Sequence, residues 1–279
     1  MDEFTLNGRV AIVTGGGRGI GAEIARTFAR AGAAVSVTSR TADDVESVAK
    51  QIEADGGRAL AYPTDLADHD NLPGLVERTV DELGGLDLVV NNAGGGYEWS
   101  SFLDTTVEQL EASFHFTVAT PFRLSQLAVP HLLERPNAAI INIGSVTVGK
   151  ALRGHLSYEA SKAAVTQLTK SMAADLGPRI RVNGIHPGPI ETAFIREFLD
   201  NKPAEFREAM INRTRLRRNG TPADIANAAL YLASAAAAWV TGIMLEVNGG
   251  PVDELQNMFP DLDPASAGAT SAQKGPRDE

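Results

Sequence analysis

Val10-Ala11-Ile12-Val13-Thr14-Gly15-Gly16-Gly17-Arg18-Gly19-Ile20-Gly21 runs from a β-branched apolar segment through a glycine-rich turn into a helical pattern starting at Ile20. Gly15 permits the tight turn, Gly19 lets the backbone approach a pyrophosphate, and Gly21 lets the helix lie close against the strand. The pyrophosphate then meets a helix start, where unpaired N–H groups and aligned peptide dipoles favour negative charge. A merely flexible turn has no need of a strand before it and a helix after it. The segment therefore reads as a nucleotide-binding loop.

The same alternation continues to about residue 250. Apolar runs lie at Val10–Val13, Ala34–Thr38, Ala59–Tyr62, Leu86–Val90, Ala139–Ile143, Ile180–Ile185 and Ile243–Val247. Helix-period segments lie at Ile20–Ala31, Val45–Ala54, Leu72–Leu83, Ser157–Leu176 and Ile225–Leu232. Continuous apolar strands separated by helices mark a parallel sheet buried on both faces. Right-handed crossovers make this a single-domain, Rossmann-type α/β fold, a doubly wound parallel sheet of about seven strands with helices on both faces. Thr41-Ala42-Asp43-Asp44 fits a capping box and Gly56-Gly57 a helix stop. Ala228 to Val240, Ala-rich and interrupted by Ser234, reads as a packed helix. No repeat or linker divides residues 1–250, and 251–279 form a C-terminal extension. Its last part, Pro264 to Glu279, is rich in small, Pro and charged residues and is expected to be disordered. Leu255, Met258, Phe259 and Leu262 are apolar enough to dock, on the chain's own surface or on a neighbouring subunit.

Bulk properties exclude several classes. Hydrophobic residues make up 43% of the 279 and charged residues 22%, which suits a full core. No stretch reaches the roughly 18 apolar residues of a membrane span. Met1-Asp2-Glu3-Phe4 lacks the basic and apolar regions of a secretion signal, so no membrane partner is expected. The absence of cysteine excludes disulfides, a thiol nucleophile and thiolate metal sites, and suits the cytoplasm. A net charge of −10 argues against nucleic acid as partner.

Ser157-Tyr158-Glu159-Ala160-Ser161-Lys162 places a Tyr and a Lys one helical turn apart, with Ser145 thirteen residues before Tyr158 at a strand end. Residues i and i+4 share a helix face, so the ammonium can lie beneath the phenol. A free phenol has a pKa of about 10, and moving it to neutrality takes roughly 4 kcal/mol of preference for the ionised form. One positive charge ~4 Å away supplies about that much at an effective dielectric of ~20, but only ~1 kcal/mol in open water. A semi-enclosed cleft therefore makes Tyr158 a proton donor and acceptor. For Ser145 alone, a strand-end hydroxyl capping a turn is the simpler reading; its spacing to Tyr158 reverses that preference.

The glycine spacing is G-x-x-x-G-x-G. Joined with Asn91-Asn92-Ala93-Gly94, Ser145 and Tyr158/Lys162, it resembles the short-chain dehydrogenase/reductase family over roughly residues 6 to 250. Arg217-Arg218-Asn219-Gly220-Thr221-Pro222-Ala223-Asp224-Ile225-Ala226 and Leu230-Tyr231-Leu232-Ala233-Ser234 look like its bacterial hydroxysteroid dehydrogenase and 3-oxoacyl-carrier-protein reductase branch. The resemblance implies an oxidoreductase acting on a carbonyl/alcohol pair. Tyr158 would exchange a proton with the substrate oxygen, Ser145 would hydrogen-bond it, and Lys162 would stabilise tyrosinate and bond the nicotinamide ribose. By the same carry-over Asp65 and Leu66 would contact adenine. Asn91, Ala93 and Gly94 would line the adenosine side, and Pro187, Gly188, Ile190 and Thr192 would border the nicotinamide. A homotetramer is implied, a dimer being second choice, with a substrate lid at about residues 190–218.

One position departs from the family. An Asn normally holds a relay water in the helix after the fourth strand, and alignment puts Thr117 there. A Thr hydroxyl bonds water but lacks the amide's donor pair. At the end of the second strand, Ser39-Arg40 offers no carboxylate for ribose hydroxyls. With Arg18, Arg40 favours NADP, with NAD second; a solvated Arg40 is the plainer alternative. Tyr97, Trp99, Phe102, Leu152, Leu156, Phe194, Ile195, Phe198 and Met210 together suggest an apolar ketone, steroid-like or acyl substrate, although each alone suits core or subunit contact. His69, His115, His131, His155 and His186 show no metal-ligand spacing and read as surface or packing residues, with His155 able to border the substrate. Arg213, Arg215, Arg217 and Arg218 read as a solvated or salt-bridged run. Two rivals remain open: an NAD-linked alcohol or hydroxysteroid dehydrogenase, and a weakly active nucleotide-responsive regulator, for which Thr117 argues mildly.

Overall fold

Strand β1 (Val10–Thr14) is buried along its whole length, and its alternate side chains enter two different cores. Ala11 and Val13 point into one, Ile12 into the other, as the period of two along a strand requires. A computed structural model of the chain describes residues 2–95, 100–192, 195 and 202–251. Seven parallel strands form one sheet in the order β3-β2-β1-β4-β5-β6-β7. The others are β2 (Ala34–Ser39), β3 (Arg58–Pro63), β4 (Leu88–Asn91), β5 (Ala139–Ile143), β6 (Arg181–Pro187) and β7 (Met244–Val247). Helices α1 (Gly19–Arg30), α2 (Ala42–Ala54) and α8 (Pro222–Ala233) supply the core on one face. Helices α3 (Leu72–Leu83), α5 (Thr120–Leu132) and α6 (Leu156–Leu176) supply the other. Each fully buried Ile or Leu, Ile12 and Ile140 among them, stabilises the fold by about 1.5–3 kcal/mol over exposure. The expected doubly wound sheet is therefore present, seven strands included.

Strand order reverses between β1 and β4, and ligands of such sheets bind in the crevice beyond the strand ends there. Thr14 closes β1 and Asn91 closes β4, so the glycine turn and the Asn-Asn-Ala-Gly turn face each other.

Some local expectations needed correction. Thr41 is the N-cap of α2, but its side chain makes no capping bond. The third residue of the helix, Asp44, instead lies 3.9 Å from the Arg18 guanidinium. Capping boxes form at Thr106/Gln109, which opens α4 (Val107–Phe114), and at Thr221/Asp224, which opens α8. The apolar stretch to Val240 is not one helix. Helix α8 stops at Ala233 because Ser234 is extended, one 3₁₀ turn follows, and Trp239 stands fully exposed. The Gly56-Gly57 stop is present: Gly56 adopts φ +83 and Gly57 donates to Ile52 O.

Between α4 and α5 the chain makes one π-helical turn, His115–Ala119, an element found often at functional sites. Helix α7 (Ala204–Asn212) falls within the 190–218 segment. Both ends of that segment are tied down, by Gly220 N–H to Pro189 O at 2.8 Å and by Arg215 N–H to Gly250 O at 2.7 Å. Tyr97, Trp99, Phe194, Phe198 and the apolar residues of the C-terminal extension lie outside the described residues. Among the described residues no helix is long and apolar enough to cross a membrane.

Candidate active site

The glycine loop is held from the β4 side. Thr14 Oγ1 accepts from the N–H groups of Asn92 and Ala93, both at 2.9 Å. Asn92 Nδ2 donates to Thr14 O at 2.9 Å and Gly15 O at 3.2 Å. A Cβ on Gly21 would overlap the Gly15 carbonyl oxygen, which is the close helix–strand approach its sequence position implied. Gly19 adopts φ +57, a region costly for other residues. The N-cap residue of α1, Arg18, makes no side-chain cap bond, so the first N–H groups of α1 have no side-chain acceptor there. A glycine cradle ending on an uncapped helix start fits a pyrophosphate. Thr14 and Asn92 were not singled out in the sequence, although both belong to the quoted motifs.

Around this cradle lie the remaining cofactor candidates. Ser39 ends β2 and exposed Arg40 follows it, with Ser39 Oγ 2.8 Å from where a Gly17 Cβ would sit. Arg18 is 80% exposed and leans toward Asp44. Exposed Asp65 folds back to accept from Ala67 N–H at 3.0 Å, and Leu66 is buried in the core. The Asn91 side chain is committed inward, donating to Asn142 Oδ1 at 2.9 Å and Ser125 Oγ at 3.2 Å. Any cofactor contact from Asn91 thus comes from its main chain. Across the crevice Pro187 ends β6, Gly188 packs on Asn248, and Ile190 bridges to Gly220. The Thr192 methyl lies 3.3 Å from where a Gly19 Cβ would be, so this second wall meets the glycine loop.

Lys162 and Ser145 meet at the end of β5, and Tyr158 stands one turn before Lys162 on α6. Lys162 is 4% exposed, and its Nζ donates to Ile143 O at 2.7 Å. Burial pushes its pKa down to about 8. Ala93-Gly94 leaves room beside it: a Cβ on Gly94 would stand 3.1 Å from Nζ. The ammonium lies 6.0 Å from the centre of the Tyr158 ring. Ser145, two residues past Ile143 and 7% exposed, accepts from Thr147 N–H at 3.2 Å and lies 3.0 Å from Thr147 Oγ1. It therefore does cap a turn, and its own hydroxyl proton remains available for a further acceptor. Thr117, on the π turn and 2% exposed, lines a cavity of about 340 Å³ with Tyr158. Ser113, Gln109, His155 and Leu156 line it too. Ser113 Oγ lies 3.1 Å from both Ser157 O and Ser161 Oγ and shares its one proton between them, which fixes α4 against the Tyr158 turn. Leu152 and Phe102, each two residues from a residue that lines it, are exposed at 45% and 78%.

A family model described as enoyl-(acyl carrier protein) reductase matches residues 15–251. A 7α-hydroxysteroid dehydrogenase of Escherichia coli K12 is 41% identical over 91% of this chain and 98% of its own. The chain belongs to the short-chain dehydrogenase/reductase family. An uncharacterised oxidoreductase of Mycobacterium tuberculosis is 44% identical, covering 94% of this chain and 97% of its own. Among solved structures, a 7α-hydroxysteroid dehydrogenase complexed with NADH and 7-oxo glycochenodeoxycholic acid superimposes with a TM-score of 0.85. It is 41% identical and covers 91% of this chain and 98% of that one. This short-chain dehydrogenase/reductase is thus an oxidoreductase of a family that uses NAD or NADP.

The remaining histidines divide. His69 and His115 stack with ring centres 4.3 Å apart beside the π turn. His155 Nδ1 lies 3.1 Å from Arg153 O at the cavity. His186 is buried with a partner at each nitrogen. Of the arginine run, Arg218 forms a two-point bond with Asp224, and the guanidinium holds that carboxyl well below its usual range.

Proposed function

We propose that the enzyme interconverts a ketone and a secondary alcohol on a substrate with an apolar, steroid-like or 3-oxoacyl body, using NADP(H), with Tyr158 as general acid and base. The observation that carries this reading is the buried Lys162 ammonium, bonded to Ile143 O two residues before Ser145 and 6.0 Å from the centre of the Tyr158 ring. A bound nicotinamide supplies or accepts the hydride at the substrate carbon. Tyr158 gives its proton to the substrate oxygen in reduction and takes it back in oxidation. The Lys162 ammonium, 6.0 Å from the ring centre, stabilises the phenolate by charge attraction that its buried setting strengthens. Ser145 points its free proton at the substrate oxygen and holds it in line with Tyr158. The exposed Leu152, Leu156 and Phe102 favour an apolar substrate body.

Two guanidiniums at the adenosine end, Arg18 and Arg40, and no carboxylate at the end of β2 favour the phosphorylated dinucleotide. Asp44 beside Arg18, and the NADH in the 41% identical 7α-hydroxysteroid dehydrogenase structure, favour NAD as the second reading. Replacing Arg40 by Ala is expected to weaken NADPH roughly 10- to 100-fold, the worth of one charged hydrogen bond, and to leave NADH unchanged. Fluorescence titration checks it; equal affinities of the unaltered enzyme for both dinucleotides exclude the NADP reading.

Thr117 borders the cavity from which Lys162 would recover a proton through water. Thr117→Asn is expected to preserve or raise turnover, because the amide adds a donor pair for that water. A collapse of kcat with normal folding would remove Thr117 from the proton path.

A further inference from the structure

His186 lies outside the reaction as described, yet it touches three of the elements that build the site. On β6 it shares a sheet face with Val182, whose core is the α3, α5 and α6 layer. A buried imidazole on such a face is costly unless its nitrogens are paired. Here Nδ1 lies 2.8 Å from Glu246 Oε1 on β7, and Nε2 lies 3.0 Å from Thr166 Oγ1 on α6. A carboxylate only accepts, so Nδ1 carries the proton toward Glu246. In that tautomer Nε2 is a bare acceptor, and Thr166, one turn past Lys162, shares its single hydroxyl proton between Nε2 and Lys162 O at 3.1 Å. Asn248 Nδ2 holds the other Glu246 oxygen at 2.8 Å, and the Asn248 backbone packs on Gly188. The imidazole edge also abuts Gly144: a Cβ there would stand 2.5 Å from His186 Cδ2.

We infer that the Asn248–Glu246–His186–Thr166 hydrogen-bond chain is a positioning device for the catalytic set. It fixes the Lys162 turn of α6, the Gly144-Ser145 strand end and the Pro187-Gly188 turn relative to one another. The inference rests on the reaction assigned above to Tyr158, Lys162 and Ser145. A chain that served packing alone would tolerate an isosteric methyl in place of the Thr166 hydroxyl. A positioning chain does not.

The full-length enzyme is compared with Thr166→Val, Thr166→Ser and Glu246→Ala, the last at a half-exposed position. Thr166→Val is expected to lower kcat about tenfold, as the loss of one buried hydrogen bond allows, with the Kd for reduced cofactor within about twofold. Thr166→Ser restores most of that turnover, and Glu246→Ala reproduces the loss. Hydrogen exchange at the Lys162–Thr166 amides, measured without substrate, rises about tenfold in Thr166→Val and not in Thr166→Ser. Equal kcat in the Val and Ser variants, or unaltered exchange in the Val variant, overturns the inference. An unaltered enzyme inactive on carbonyls and alcohols, with exchange raised as described, leaves the positioning chain intact and sinks the assigned reaction instead.

Discussion

Tyr158→Phe is expected to lower kcat by about 10²- to 10⁴-fold, the usual worth of a positioned general acid–base group. The dissociation constant of the reduced cofactor is expected to stay within about twofold of its original value. The ring, the helix and the half-buried setting of the side chain survive this change; only the hydroxyl is lost. Cofactor grip is separate from it. Lys162 keeps its bond to Ile143 O, and the glycine cradle is held by Thr14 and Asn92 rather than by α6. Residual rate comes from Ser145 polarising the substrate oxygen. Absorbance of the reduced nicotinamide gives turnover, and its fluorescence gives binding. Full activity in the Phe variant would remove Tyr158 from the chemistry, and joint loss of binding would make it a cofactor ligand first.

The glycine loop was legible because each glycine there answers a local demand. Gly19 has positive φ, and Gly21 has a carbonyl where a Cβ would go. Strands β1, β4 and β5 were legible for the same kind of reason, being buried end to end. Helix α4 was not, since none of its residues is buried. The π turn after it inserts one extra residue and shifts the side-chain phase before α5, so no single helical period spans residues 107–132. The capping boxes show the limit of short patterns. Thr41 and Thr221 begin equally good ones, but only at Thr221 does the acidic side chain turn back onto the cap N–H. His186 was opaque in a different way. Its partners are 20 and 60 residues distant in sequence, and only the strand order brings them to it.

Lys162→Met is expected to yield a protein that is nearly inactive and yet more stable. The ammonium is fully enclosed, and burial lowers its pKa from 10.5 to about 8. At neutral pH the folded state therefore carries a charge it disfavours, at a cost of about 3 kcal/mol. Met has a similar length and no charge. It forfeits the bond to Ile143 O, worth about 1 kcal/mol, which leaves a net gain of about 2 kcal/mol. The pH dependence has a definite sign. Between pH 8 and 10.5 the unfolded chain holds more protons than the folded one, so the unaltered enzyme gains stability as pH rises through that window. Below pH 8 its deficit against the Met variant is constant; above it the deficit closes. Urea midpoints at pH 7 and pH 10 test this directly. A Met variant no more stable at pH 7, or a gap that persists at pH 10, would mean the ammonium is solvated in the crevice. Catalysis moves the other way, because at pH 7 most of the lysine is still charged and phenolate stabilisation depends on that charge. The site thus keeps a destabilising buried cation because the proton transfer at Tyr158 needs it.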